Sequence, residues 1–361
     1  MSLTYRLIGA NGLDSTLVRR WHEIRASDPA YDSPYFCPEF SQAVGRVRDD
    51  VRIAIAERDN RPVGFFPHQR SFAGMGRPVG GPFSDYHGVI VERGVEWDME
   101  SMMQTAGLSV WAFDHLAGPI DQFNGSIRGR AASPQIDLSL GFEHFAKERR
   151  EAGSDFIRKT QGLARKLERE VGALRFVLHE PAALVQVIQW KSAQYRRTNP
   201  SGVDLVFSRA WTSALLREIV DTQTEEFSGV CSALYAGDKL VAAHMGMRSR
   251  HHLHYWFPAY DPGVSKYSPG SILLLRLAEA ALENKLHVID LGKGDSQYKR
   301  ALTNRSVLLA EGAYERPSVL SLARQLGRAA EAGAAGGGAI GALMHLPVRA
   351  ARRLERLRRF R

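Results

Sequence analysis

The chain has 361 residues, 44% of them apolar and 9% aromatic, which is enough to bury a sizeable core and long enough for two domains rather than one. That composition excludes a disordered or fibrous chain, and Cys37 and Cys231 lack both the spacing of a zinc site and the density of a disulfide framework. The net charge of +9 is concentrated in the tail, where the residues from Ser318 onward carry +7 and leave only +2 on the body, so a broad nucleic-acid surface on the folded core is excluded.

In chain order, TYRLIG and VRIAIAER read as strands, 13–26 and 38–47 as helices, and VGFFPHQR as a third strand. The run GMGRPVGGPFSDYHG (74–88) is too rich in turn formers for a regular element and is expected to form an ordered loop over a site. A helix over 99–106 and strands at VWAFDHL and PQIDLSL complete the first half. Residues 155–171 carry apolar side chains on one face and cations on the other, the pattern of an amphipathic connecting helix. The second half then reads as a strand (ALRFVLHE), helices over 183–197 and 209–222, and three strands, GVCSALYAG, KLVAAHMGMRS and HLHYWFPAYD. Gly237-Asp238 between the first two of these strands fits a hairpin turn. A helix (271–284), a strand (LHVIDLG), a short helix (296–303) and a closing strand (SVLLAEGAY) follow. The two halves share a mixed order of elements without a close sequence repeat, which leaves a structural duplication open.

The chemistry concentrates between His252 and Arg305. A strand, a Gly-Pro loop, a buried helix and a second strand is the order by which an open sheet presents a pocket for a phosphate-bearing ligand. The helix opens at Ser268-Pro269-Gly270-Ser271, where proline suits the first turn and Ser268 is a candidate cap. Its free N–H groups and positive dipole end make an anion site, with Lys266 beside it as a point charge, although the same start also serves ordinary packing. After Asp290 the run Gly292 to Arg300 lets the backbone approach a ligand and brings Asp295, Tyr298 and Lys299 to the sheet edge.

The run YSPGSILLLRLAEAALENKLHVIDLGKGDSQYKRALTNR resembles the acetyltransferase domain of the CelD/BcsL group, associated with cellulose and exopolysaccharide biosynthesis, within the GNAT superfamily. VAAHMGMR, YWFPAYDP, WKSAQYRRT, SPYFCPEFSQAV and GGPFSDYHG add to a resemblance that covers about 30–317. It implies an α/β (α+β) fold of tandem GNAT-like units, as in the FemABX aminoacyltransferases, each a mixed, mainly antiparallel sheet flanked by helices. The expected division is an N-terminal unit over 1–150, a C-terminal acyltransferase unit over 151–317 and a basic tail over 318–361. Only Gly270 stands where the superfamily's pyrophosphate loop has its Gly-x-Gly pattern, and related two-unit enzymes take their acyl group from a charged tRNA instead.

The resemblance implies acetyl-CoA or another acyl-CoA as donor, no metal, and a cofactor site at Lys266, Tyr267, Ser268, Gly270, Ser271 and Lys299. Tyr298 resembles in position the tyrosine that protonates the departing thiolate, with packing over the sheet edge as its alternative. For the base, Asp295, His244 and Asp85 are candidates, against a core role for His244 and a turn cap for Asp85. Asp290, ending a buried strand, is expected to hold loop N–H groups. Asp85, Tyr86, Trp190, Lys191, Gln194 and Tyr195 form the expected acceptor site, the last four mixing aromatic surface with hydrogen-bond donors as a sugar requires. The tail, with arginines around Ala350, Leu354 and Leu357, reads either as a basic amphipathic helix on an anionic membrane or as a solvated end. Three classes stand at this point: an acyl-CoA-dependent N- or O-acyltransferase on a glycan precursor, a FemABX-like transferase using aminoacyl-tRNA, and a non-catalytic acyl-CoA or membrane-binding module.

Overall fold

The computed structural model describes residues 3–71, 74–199, 203–204, 206–294, 296–322 and 324. The first half contributes strands β1 (Thr4–Gly9), β2 (Val51–Arg58), β3 (Arg61–Arg70), β4 (Met75–Arg77), β5 (Ile90–Val91), β6 (Val110–Leu116) and β7 (Ile127–Asp137). Its helices are α1 (Ser15–Ala26), α2 (Pro38–Val47), α3 (Met99–Thr105) and α4 (Phe142–Glu151). The second half contributes β8 (Leu174–Val177), β9 (Phe227–Ala236), β10 (Lys239–Ser249), β11 (His252–Tyr260), β12 (Val288–Asp290) and β13 (Arg305–Glu315). Its helices are α5 (Phe156–Glu170), α6 (Leu184–Thr198), α7 (Ala210–Asp221), α8 (Pro269–Glu279) and α9 (Gln297–Leu302).

All of these strands join one sheet in the order β1-β2-β3-β4-β6-β13-β7-β12-β11-β10-β9-β8, with β5 alongside β3. Pairing is antiparallel except for β4 with β6 and β11 with β12. The centre of the sheet is an exchange: β13, the last strand of the second half, pairs with β6, while β7, the last strand of the first half, pairs with β12. The two exchanged strands pair with each other from Arg305↔Gln135 to Gly312↔Ile127.

Period-2 alternation sorts side chains onto the two faces. On β2, Ile53 and Ile55 enter a core shared with α1, α2, α6 and α7, while Ala54 and Ala56 face a core shared with α3. The first of these cores spans both halves, and its anchor is Trp21, fully buried, stacked 4.6 Å from Phe65 and donating from its indole N–H to Phe36 O at 2.8 Å. On the opposite face of the second half, α8 buries Leu273, Leu274, Leu277 and Ala278 against α5, β9, β10 and β11. α1 starts where Asp14 accepts the Leu17 N–H at 2.9 Å, the expected N-cap arrangement.

The expected hairpin holds, with Lys239 opposite Ala236 across a turn in which Gly237 has φ 59. Elsewhere the boundaries shift. β7 begins seven residues before PQIDLSL, because its first part IRGRAA alternates half-buried and exposed positions and carries no apolar stripe to read. The helix expected over 271–284 stops at Glu279, and a separate short turn covers Leu282–Asn284. Residues 74–88 do form a loop, containing β4 and a short turn at Gly81–Phe83 and burying Phe83 and Tyr86. Among the described residues no helix is long and apolar enough to cross a membrane. The proposed membrane-binding segment of the tail lies outside the described residues.

Candidate active site

β11 and β12 pair over three positions only, His252↔Val288, Leu253↔Ile289 and His254↔Asp290. β11 then runs on to Tyr260, while the chain after Asp290 turns away through Gly292 and Gly294, whose φ of 72 and 124 suit glycine. The strands therefore part at His254 and Asp290. Gly292 lies against Asp85 and His254, since a Cβ there would stand 3.5 Å from both Asp85 Oδ2 and His254 Cε1. In the first half β4 pairs parallel with β6 at Met75↔Val110 and Gly76↔Trp111, and Trp111 belongs to an apolar cluster with Phe66, Phe113, Phe123, Met102 and Met103.

Asp290 is fully buried at the apex. Its Oδ2 accepts from Tyr86 at 2.5 Å and Gln135 at 2.7 Å, and its Oδ1 from Ser133 at 3.0 Å and the Gly292 N–H at 2.7 Å. Burial by itself would favour the neutral acid, but the adjacent His252 and His254 hold the carboxyl well below the usual carboxylate range. His254, 1% exposed, lies between two carboxylates: Nδ1 is 3.5 Å from Asp290 Oδ1, an ion-pair contact, and Nε2 is 2.9 Å from Asp85 Oδ2, a good hydrogen bond. Burial works against a charged ring here too, yet the two carboxylates outweigh it and raise the His254 pKa to about 9. At neutral pH the ring is an imidazolium that donates to Asp85.

Asp85 is the member that meets solvent, with its side chain 25% exposed and the His115 ring 3.8 Å away. Its loop is pinned by His87, which burial pushes down to about 3 and so keeps neutral. The His87 Nε2 accepts the N–H groups of Asp114 and His115 at 3.2 and 3.1 Å, leaving Nδ1–H for Ser84 Oγ at 3.3 Å. Tyr35 covers the apex, its ring edge-on to His254 at 5.0 Å.

A pH dependence follows. Because the folded pKa of His254 is raised above the ordinary histidine value of 6.5, the stability it contributes is fully present below about 6.5 and is lost as pH rises through about 9. Urea denaturation at pH 6 and pH 10 should differ by roughly 3 kcal/mol more in the native protein than in His254→Gln. The titratable groups packed around the ring are Asp85, Asp290 and Tyr35, with His115 beyond Asp85 and His252 beyond Asp290.

The structure brings some of the sequence-selected residues together and not others. Asp85 and Tyr86 lie at the apex, as above. Tyr195 is within electrostatic reach of Asp85, and burial, with Asp204 and Asp85 adding to it, pushes its phenol up to about 12. Lys191 donates to Gln194 Oε1 at 3.2 Å, and burial lowers its pKa to about 8. Trp190 and Gln194, with Arg197, Tyr260 and Ser265, line a cleft of about 420 Å³ between α6 and the β11–α8 turn. Tyr298 is half-buried on α9, and burial raises its pKa, so its phenol keeps its proton at neutral pH.

The remaining assignments look different. His244 is fully enclosed, stacked on Tyr255 at 4.1 Å with Nδ1 3.1 Å from Ser232 Oγ, and burial holds its pKa well below the usual histidine range. That is a core environment, in which Nε2 has no hydrogen-bond partner among the described residues. Ser268 makes no side-chain cap bond, because it adopts a left-handed conformation (φ 51, ψ 54) that turns the chain into α8. Lys266 extends along the Tyr267 ring (4.8 Å) toward Glu170 (3.6 Å), and the Tyr267 hydroxyl donates to that same carboxylate at 2.6 Å. Lys299 donates to Gly292 O at 2.8 Å and Lys293 O at 3.1 Å, fixing the glycine loop. Gly270 lies beside Tyr260 and hence at the edge of the cleft, with Ser271 next to it in the first turn of α8. Asp295 lies outside the described residues. Asp290 bonds the Gly292 N–H as expected, but the reading of the sequence missed His254, Gln135 and Ser133. Two histidines at alternate positions of HLHYW were the available signal for His254. Among the described residues no group of His, Cys, Asp or Glu is arranged to hold a metal ion.

No curated protein sequence matches the chain. Two solved structures show its fold. FemX aligns with a TM-score of 0.57 at 7% identity, covering 90% of this chain and 99% of FemX. The C-terminal domain of an Agrobacterium fabrum protein described as a lysylphosphatidylglycerol synthetase aligns with a TM-score of 0.50 at 9% identity, covering 86% of this chain and 94% of that one. Residues 154–300 match the family model described as an acetyltransferase (GNAT) domain. The second half of the chain thus matches a GNAT acetyltransferase domain, which supports an acyltransferase.

Proposed function

We propose that the protein transfers an acyl group, acetyl in the first instance, from coenzyme A to an amine or hydroxyl of a sugar or glycan precursor. The observation that carries this reading is the charged apex: β11 and β12 separate over a buried carboxylate–imidazolium pair that presents a single exposed carboxylate, Asp85, to the opening. The division into units at 1–150 and 151–317 belongs to the same proposal, with the donor in the second unit. The cleft suits a phosphate-bearing donor, since its lining includes Arg197 and, among the described residues, no carboxylate. Gly270 and Ser271 would meet the donor's phosphates from the first turn of α8. The aromatic rings of Trp190 and Tyr260 and the amide of Gln194 suit a sugar, and the resemblance to polysaccharide-linked acetyltransferases points the same way.

The bound thioester supplies the acyl carbon and a thiolate leaving group. In this mechanism the acceptor N–H or O–H gives its proton to Asp85 as the new C–N or C–O bond forms, and the Tyr298 phenol gives a proton to the sulfur as the C–S bond breaks. A thiolate is already a good leaving group, so Tyr298→Phe should lower kcat by only about 10²-fold, the low end for acid–base catalysis, with acetyl-CoA affinity unchanged. Calorimetry with acetyl-CoA, followed by thiol release over a panel of amino sugars and oligosaccharides, tests the reading. Binding and turnover are expected. Failure to bind acetyl-CoA, with charged tRNA bound instead in a steeply salt-dependent manner, would replace it with the aminoacyl-tRNA alternative.

A further inference from the structure

The apex spends four buried hydrogen bonds on Asp290, a carboxylate that never reaches solvent. Packing alone does not ask for this, because a buried charge with its partners gains little over an apolar core of the same shape. What the arrangement achieves is the orientation of one ring. Asp290 sits directly across from His254 in the β11–β12 pairing and across from Gln135 in the β7–β12 pairing, so three neighbouring strands fix the carboxylate. From there the charge contact to Nδ1 and the edge of Tyr35 leave the imidazole one outward bond, Nε2–H to Asp85.

We propose that His254 is a positioning residue, locked by Asp290, which holds the Asp85 carboxylate in place as the proton acceptor of the site. This rests on the acyl-transfer reading given above and adds residues to it. The order carboxylate, imidazole, exposed acceptor has the logic of a triad in which the outermost group is itself a carboxylate. His254 touches no substrate. It anchors Oδ2 of Asp85 and leaves Oδ1, 3.8 Å from the His115 ring, for the acceptor. Asp85 comes from a loop of the first half and His254 from a strand of the second, so the bond also ties the base to the half that holds the donor.

The test compares His254→Leu, which keeps the volume and removes the donor, with His254→Gln, whose terminal amide can place an N–H near the position of Nε2. His254→Leu should lower kcat about 10²-fold, shift acetyl-CoA affinity less than twofold and leave the acceptor KM within about threefold, while His254→Gln recovers at least tenfold of the loss. Wild-type kcat in folded His254→Leu, or equal loss in both variants, would overturn the proposal. A second measurement needs neither turnover nor a buried substitution. In ¹⁵N-labelled protein at pH 7 the Nε2-bound proton of His254 should resonate far downfield, protected from exchange, and move upfield in Asp85→Asn, where a neutral amide oxygen replaces the carboxylate. Its absence from the native protein overturns the proposal even if acyl transfer is confirmed. If instead this proton is seen and wild-type protein neither binds acetyl-CoA nor turns over an acceptor, the acyl-transfer reading is what fails.

Discussion

Asp85→Asn should reduce turnover by up to about 10⁴-fold while leaving the fold and the donor affinity intact, the largest loss of activity expected from any single exchange at the site. Three observations set that size. Asp85 is the exposed member of the apex cluster, its Oδ2 is fixed at 2.9 Å from His254, and its loop is tied down through His87 to β6. Asparagine keeps the shape and can still accept the His254 N–H, so stability should move little, but an amide has no useful basicity. Steady-state kinetics at saturating acetyl-CoA, with calorimetric affinity for the donor measured in parallel, checks the expectation. A loss that appears in donor affinity with kcat preserved would mean that Asp85 binds rather than accepts a proton.

Trp21→Ala should have the largest effect on stability, about 3–5 kcal/mol by urea denaturation. The side chain is fully buried in the core that spans both halves, so truncation leaves a cavity that cannot collapse against the flat stack on Phe65. It also strips the Phe36 carbonyl of its indole partner at 2.8 Å, a buried acceptor that water cannot reach easily. Phe36 adjoins Tyr35, the ring that covers His254, so the same exchange should loosen the apex and lower kcat as well. Trp21→Phe, which fills most of the volume but lacks the N–H, should separate the two contributions by costing roughly 1–2 kcal/mol.

Much of the fold was legible because it rests on local patterns. The hairpin at Gly237, the apolar faces of α2 and α8 and the Gly-rich approach to the site all follow from spacing and turn chemistry within a few residues. α4 escaped because Phe145 is its one fully buried side chain, leaving too little apolar periodicity to distinguish the helix from a charged loop. The candidate site was legible only in pieces. Asp85 and Tyr86 were selected, yet the bond between Asp85 and His254 joins residues 169 apart, and Gln135 reaches Asp290 across 155. No local rule encodes such a meeting. For His244 both readings stood open, because a histidine on a strand has the same appearance whether the strand face looks into a core or a cleft; the structure buries it fully, stacked on Tyr255.

The crossing of β7 and β13 gives the molecule a particular order of assembly. β6 and β7 each need β13 as a neighbour, and β13 is the last of these strands to leave the ribosome. A nascent chain that has made everything up to Asp290 therefore still exposes two unpaired strand edges at its middle, the condition that favours misassociation and slows folding dominated by distant contacts. Gln135 and Ser133, which hold the buried carboxylate, sit on one of those waiting strands. The sheet that frames the buried Asp290 therefore has both of these edges paired only once β13 has been made.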